Sequence, residues 1–272
     1  LDDSIAYRLP LAPVSTVFAG PMVRSKLDRL FTYRHRTTRD DLVDHARYES
    51  RPRLVVGITG SSGLIGRVLS AFLTTGGHTV RPIARTGSGK DLVWETEHLK
   101  DLDAVVHLAG ESVDGRWTAR KKHAILESRI LGTERLVAAL RSVKDKPSVL
   151  VSASAVGYYG DQGDDVLTED SDPGNGFLAD VCKQWERAAR EGERSGMRVV
   201  PARLGVVLSG VGGALKKMLP PFKMGMGGRI GSGDQVMSWI AIDDVIGGIH
   251  HIIQEDSITG PVNLVSPGPQ TN

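Results

Sequence analysis

The sequence predicts an α/β fold built on a doubly wound parallel sheet, with an N-terminal extension ahead of it and a small loop-rich region after it. Three observations lead there. From Leu54 onward, short apolar runs rich in β-branched residues alternate with segments of helical spacing. The first run ends in a glycine-rich turn, TGSSGLIG, that opens straight into an amphipathic stretch. Past about Gly210 the alternation fades and glycines multiply in GVGGALKK and GMGGRIGSGDQ.

Each element follows from its own pattern. LVVGIT (Leu54 to Thr59) is continuously apolar, as a strand covered on both faces must be. Leu64, Ile65, Val68, Leu69 and Phe72 then recur on one helical face. HTVRPIA supplies a second strand and DAVVHLAG (Asp103 to Gly110) a third. A long helix is expected over 120–143, with Leu126, Ile130, Thr133, Val137 and Leu140 on one stripe. PSVLVSAS reads as the next strand, FLADVCKQWERAAREGERSG as a helix stopped by Gly196, and MRVVPARLGVVL as one further strand. In WIAIDD, Asp244 is read as the N-cap of a last helix, whose pair His250–His251 is expected at the surface. The character changes at SRPR (Ser50 to Arg53), which divides a charge-rich extension (1–52) from the main domain (53–272), with loops on the ligand side mainly from 205 onward.

Composition bounds the partners. A chain of 272 residues, 40% hydrophobic and 24% charged, can bury a full α/β core. A net charge of +2 argues against nucleic acid or an anionic membrane as main partner, leaving a small molecule. The single cysteine, Cys182, excludes an intrachain disulfide, so a reducing, cytoplasmic setting is the expectation. No apolar run reaches the roughly 18 residues a membrane helix needs. No histidine or acid cluster has metal-ligand spacing.

The glycine turn carries the chemistry. Gly60 permits a sharp turn, Gly63 lets a pyrophosphate approach the backbone, and Gly66 lets helix and strand pack closely. The intervening Ser61, Ser62, Leu64 and Ile65 complete a phosphate cradle at a helix N-terminus. Its strand–turn–helix context is what a Rossmann-type dinucleotide site demands; the alternative is a glycine turn with no ligand. After the second strand an NAD site usually places an acid for the ribose 2′-OH. HTVRPIARTGSGK has none, offering Arg81, Arg85 and Lys90 instead. Arg85, at the strand's end, suits a 2′-phosphate, so NADP is the expected cofactor; the alternative is a solvated surface arginine.

TGSSGLIG, then HLAGE, then SASAVGYYG resembles the extended short-chain dehydrogenase/reductases. GESVDGRWTARKKHAILESRILGT, CKQWE, RLGVVLSGVGGALKKMLPPFK and GGRIGSGDQVMSWIAIDD narrow the resemblance to its atypical epimerase family proteins, nucleoside-diphosphate-sugar epimerases by label. That resemblance implies cofactor contacts at Leu108, Ala109, Gly110, Glu111 and Arg116, and a substrate-binding serine at Ser154. It also implies a small C-terminal domain beyond a segment like NLVSPGPQTN. LFTYRHRTTRDDL resembles the tail of a START-like ligand-binding domain fused upstream in some members; the alternative is a helical extension packed on the sheet.

The superfamily's proton donor is a tyrosine with a lysine four residues later. Four residues after Tyr7, Tyr33, Tyr48, Tyr158 and Tyr159 stand Leu11, Thr37, Pro52, Gln162 and Gly163. The pair is absent. Alignment of related helices on Glu186 puts Leu178 and Cys182 in those two places, with Lys183 about 100° further around the helix. Ser154, Tyr158 and Tyr159 are then the candidate catalytic groups, and Arg229 and Gln235 in the glycine-rich loop the candidate substrate wall. His107 is read as a hydrogen-bonded structural imidazole and Trp117 as packing. Two functions stay open. One is an NADP-dependent oxidoreductase or epimerase-like isomerase acting on a sugar nucleotide or other anionic small molecule. The other is a non-catalytic NADP(H)-binding sensor.

Overall fold

The computed structural model describes residues 14–87, 93–94, 96–229 and 231–271. The chain divides into two units, Leu1–Glu49 and Ser50–Asn272. The described part of the first is dominated by the helix α1 (Val14–Ala46), which carries Pro21 in its interior.

The second unit begins with β1 (Val55–Thr59), α2 (Leu64–Thr75), β2 (Thr79–Ile83), the short antiparallel pair β3 (Arg85–Thr86) and β4 (Val93–Trp94), and β5 (Ala104–His107). It continues through α3 (Ala119–Ser142), β6 (Val149–Ala155), α4 (Phe177–Arg190), β7 (Arg198–Leu204), β8 (Val206–Ser209) and α5 (Gly213–Lys223). It closes with β9 (Val236–Met237), β10 (Trp239–Ala241), α6 (Ile242–Gln254), β11 (Val262–Leu264) and β12 (Gln270–Thr271). Six strands form one sheet in the order β11-β7-β6-β5-β1-β2, every pairing parallel. The doubly wound, Rossmann-type sheet expected from the sequence is present.

Parallel strands covered on both faces alternate their side chains between two cores. Val106 joins Val56, Ile58, Leu69 and Leu73 of α2, and Val245 and Ile249 of α6. Its neighbour Val105 joins Leu150, Val199, Leu136 and Leu140 of α3, and Ala189 of α4. The chain leaves β1 for β2 on one side, while β5 lies on the other. That reversal opens a crevice at the carboxyl ends of β1 and β5, where ligands bind in sheets of this kind.

Four expectations are corrected. MRVVPARLGVVL is two strands: Gly205 separates them, and β8 leaves the main sheet to pair with β10. A Cβ on Gly205 would meet the Ser238 carbonyl oxygen at 3.0 Å, a tight approach that favours a residue without one at the bend. The helix after Phe177 ends at Arg190, and a 3-10 turn carries the chain to Gly196, whose φ of +84° suits glycine. The residue capping α6 is Ala241; Asp243 and Asp244 lie inside its first turn, where they favour the helix dipole. His250 is 1% exposed, with its ring edge-on to Phe72 and His78, while His251 faces solvent.

Candidate functional site

The crevice is built from the turn after β1 and the segment after β5. Gly60 has φ +69°, and a Cβ there would lie 2.9–3.0 Å from the backbone of Leu108 and Ala109. At Gly66 a Cβ would fall 2.3 Å from the Gly60 carbonyl oxygen and 2.7 Å from Ser61 Cα. Both contacts are with backbone, which cannot rotate aside. α2 has Gly63 as its capping residue, with no side-chain cap and no acid in the first turn. The unpaired N–H groups at that end are therefore left for an external anion. Ser61, Ser62, Gly63, Leu64 and Ile65 make the remainder of this turn, with Ser62 exposed and Ser61, Leu64 and Ile65 half-buried. A cradle that a methyl group would fill, facing an uncapped helix end, fits a dinucleotide's pyrophosphate.

The two sides of the crevice are clamped together by Thr59. Its Oγ1 accepts from the N–H groups of Leu108 (3.1 Å) and Ala109 (3.2 Å), which leaves its proton for His107 Nδ1 at 2.7 Å. His107 Nε2 then donates to Thr133 Oγ1 (2.9 Å), whose own proton goes to the Arg129 carbonyl. Every polar atom of the imidazole is satisfied in its neutral form. Burial, then the charge of Arg85, hold its pKa down at about 3. His107 is structural.

Three cations within and after β2 are candidates for the 2′-phosphate. Arg81 donates to the Lys100 carbonyl, and Lys90 lies outside the described residues. Arg85 is exposed at the start of β3, near enough for its charge to act on His107 and Glu111. Glu111 follows Gly110, donates its N–H to Ser128 Oγ, and accepts from Lys121 Nζ at 2.6 Å. The Lys121 hydrogen bond and charge hold its carboxyl below the usual carboxylate range. Arg116 is exposed in the same segment, and Trp117 donates from Nε1 to the Val113 carbonyl and packs edge-on against Phe177.

The candidate catalytic residues gather at the end of β6, around a group that the sequence reading passed over. Arg203 of β7, 2% exposed, donates from Nε and Nη2 to the two carboxylate oxygens of Glu186 at 2.9 and 3.0 Å. Its Nη1 donates to Tyr159 Oη (2.8 Å) and to the Glu169 carbonyl (3.1 Å), and its guanidinium lies 3.6 Å from the Tyr158 ring centroid. Ser154 Oγ donates to Glu186 Oε1 at 2.7 Å. Burial disfavours the arginine's charge, but the hydrogen bonds to Glu186 and then Tyr159 outweigh it and raise its pKa. The signal was available: an arginine inside the apolar run VVPARL, and an acid on the buried stripe of α4.

This network separates the two tyrosines. Tyr159 is buried, and its hydroxyl accepts from Arg203 and donates to Asn263 Oδ1 at 2.7 Å. Tyr158 is half-buried, and its hydroxyl makes no hydrogen bond among the described residues. At the two positions assigned to the missing pair, Leu178 is partly exposed and Cys182 buried. Burial, then the nearby Glu186, push the thiol up to about 11, so it stays protonated at neutral pH. Lys183 turns away to Asp180 at 2.8 Å. Arg229 and Gln235 are exposed beyond α5, and no hydrogen bond or ion pair among the described residues joins either to the crevice.

The family follows from comparison. Residues 56–264 match the NAD dependent epimerase/dehydratase family. The chain belongs to that family. Epimerase family protein Mb2239 of Mycobacterium bovis is 45% identical over 228 residues, 80% of this chain and 75% of the relative. The nucleoside-diphosphate sugar epimerase from Corynebacterium glutamicum superposes with a TM-score of 0.77 at 39% identity, over 89% of this chain. This chain spans only 53% of that one. The human epimerase family protein SDR39U1, solved with NADPH, superposes with a TM-score of 0.71 at 33% identity, covering 80% of this chain and 76% of its own. Among the described residues, no helix is long and apolar enough to cross a membrane.

Proposed function

We propose that this chain binds NADP(H) and acts as an oxidoreductase or epimerase-like enzyme on a small anionic substrate, a sugar nucleotide being the leading class. The observation that carries the reading is the cradle at Gly60 and Gly66, where backbone lies where a side chain would be and an uncapped helix end faces outward. Arg85 supports the phosphorylated form of the cofactor: an exposed cation stands where an acid would select the unphosphorylated ribose. The human relative solved with NADPH supports the same choice.

When bound, the nicotinamide ring supplies or takes up hydride. The chain's own part is to hold substrate and move a proton. Tyr158 is the donor of choice over Tyr159, because its hydroxyl is uncommitted while Arg203 fixes its ring. Ser154 orients the reacting oxygen: its proton goes to Glu186, so its lone pairs are left to accept from a substrate hydroxyl.

A second reading is favoured by Leu178 and Cys182, one apolar and one a protonated thiol, standing where the familiar proton machinery would be. On that reading the chain is an NADP(H)-binding sensor. NADPH deuterated stereospecifically at C4, offered with a panel of carbonyl compounds and nucleotide sugars, decides between them. Label in a product, lost in Ser154→Ala or Tyr158→Phe, is the expected result. Tight cofactor binding with no transfer from NADPH to any carbonyl compound, and no hydride passed from any nucleotide sugar to NADP+, would overturn the enzyme reading in favour of the sensor.

A further inference from the structure

Arg129 is a half-buried cation of the crevice with no ion-pair partner among the described residues. It lies on α3, and its Nη1 donates to the carbonyls of Glu111 (2.9 Å) and Ile125 (3.3 Å). The guanidinium lies 5.1 Å from the Trp185 ring centroid, and a Cβ on Gly110 would stand 3.4 Å from its Cζ. The glycine after β5 therefore brings main chain up against it. The ionisable groups whose charge acts on Arg129 are Cys182, a protonated thiol, and Glu111, whose carboxylate is paired with Lys121. No carboxylate lies within ion-pair distance among the described residues. Nε and Nη2 make no hydrogen bond, yet neither is among the buried atoms left without a partner, so this edge of the fork is open.

The sheet order says what reaches it. With phosphates at the turn after β1 and the phosphorylated ribose toward Arg85 beyond β2, the other nucleoside must run across β5 toward β6. That path leads over Leu108 to Glu111 and along the α3–α4 side of the crevice, where Arg129 lies.

We propose that Arg129 is a cofactor-binding residue, its open edge donating to the vicinal hydroxyls of the ribose that carries nicotinamide. This rests on the NADP(H) reading above. A guanidinium held by two carbonyls and an indole face is already oriented, so little freedom is lost when its remaining donors are used.

The test compares two probes on the full chain by calorimetry. NADP+ carries both nucleosides; adenosine 2′,5′-bisphosphate carries only the adenosine side. Arg129→Gln is expected to weaken NADP+ roughly tenfold to a hundredfold while leaving the bisphosphate within about twofold. Arg129→Lys, which keeps the charge without the planar fork, is expected to fall between, and it stands in if the glutamine variant does not fold. Unchanged NADP+ affinity, or equal loss for both probes, would overturn the assignment while leaving the crevice as the cofactor site. If the unaltered chain binds neither probe, the cofactor reading fails and takes this inference with it.

Discussion

Replacing Arg203 by methionine is the most demanding perturbation the structure allows. The substitution roughly keeps volume but removes four hydrogen bonds: two to Glu186, one to Tyr159 and one to the Glu169 carbonyl. Glu186, 5% exposed, then keeps Ser154 as its donor and has no counter-charge. Breaking a buried pair from one side costs about 3–5 kcal/mol, because the remaining charge is left without compensation. In a domain of this size each kcal/mol shifts the melting midpoint by about 2–4 °C, so Arg203→Met should melt roughly 6–20 °C lower. Urea unfolding followed by circular dichroism measures the same loss as a drop in midpoint with unchanged slope. Adding Glu186→Leu removes the stranded charge, and the double variant should be more stable than Arg203→Met alone. A single variant within about 1 kcal/mol of the parent would refute the claim that this pair organises the end of β6.

Three further outcomes follow from the crevice and its clamp. Gly66→Ala places a methyl 2.3 Å from the Gly60 carbonyl, so cofactor affinity should fall more than roughly tenfold, at a cost in stability of about 1–3 kcal/mol, both readable by calorimetry and thermal melting. Arg85→Ala should reduce NADP+ affinity roughly tenfold to a hundredfold and leave NAD+ affinity nearly unchanged; equal effects on both would contradict a 2′-phosphate contact. His107 is neutral in the folded chain down to about pH 3, against an ordinary value of 6.5, so below 6.5 the unfolded chain binds the extra proton. Stability is therefore fully present above pH 6.5 and declines as pH falls toward 3, by up to about 1.4 kcal/mol per pH unit; a glutamine in its place should flatten that slope in urea titrations.

How much was legible in the sequence depended on whether the signal was local. The alternation of β-branched runs with helical stripes reports local periodicity, and it located five of the six strands of the main sheet; β11, three residues at the sheet's edge, is too short to show a pattern and went unread. TGSSGLIG was readable because its glycines have separate steric duties, visible as backbone atoms where side chains would be. The break at Gly205 was not, since it arises from β8 pairing with a strand about thirty residues further along the chain, and pairing partners leave no local trace. His250 was misplaced for a related reason: two adjacent histidines read as polar, but one falls on the inward face of α6. The two tyrosines look equivalent as a dipeptide. Only the approach of Arg203 and Asn263, from strands that follow much later, commits one hydroxyl and leaves the other uncommitted. Arg129 was hidden the same way, within a helix whose charged residues are split between exposed and half-buried positions that the sequence does not tell apart.

The central claim is that the carboxyl ends of β1 and β5 form an NADP(H) site, and the most direct test is calorimetric titration of the folded chain with NADPH and NADH in parallel. The account predicts saturable heat with NADPH at one site per chain, with NADH at least roughly tenfold weaker. No heat from either nucleotide, or a preference for NADH, would contradict it.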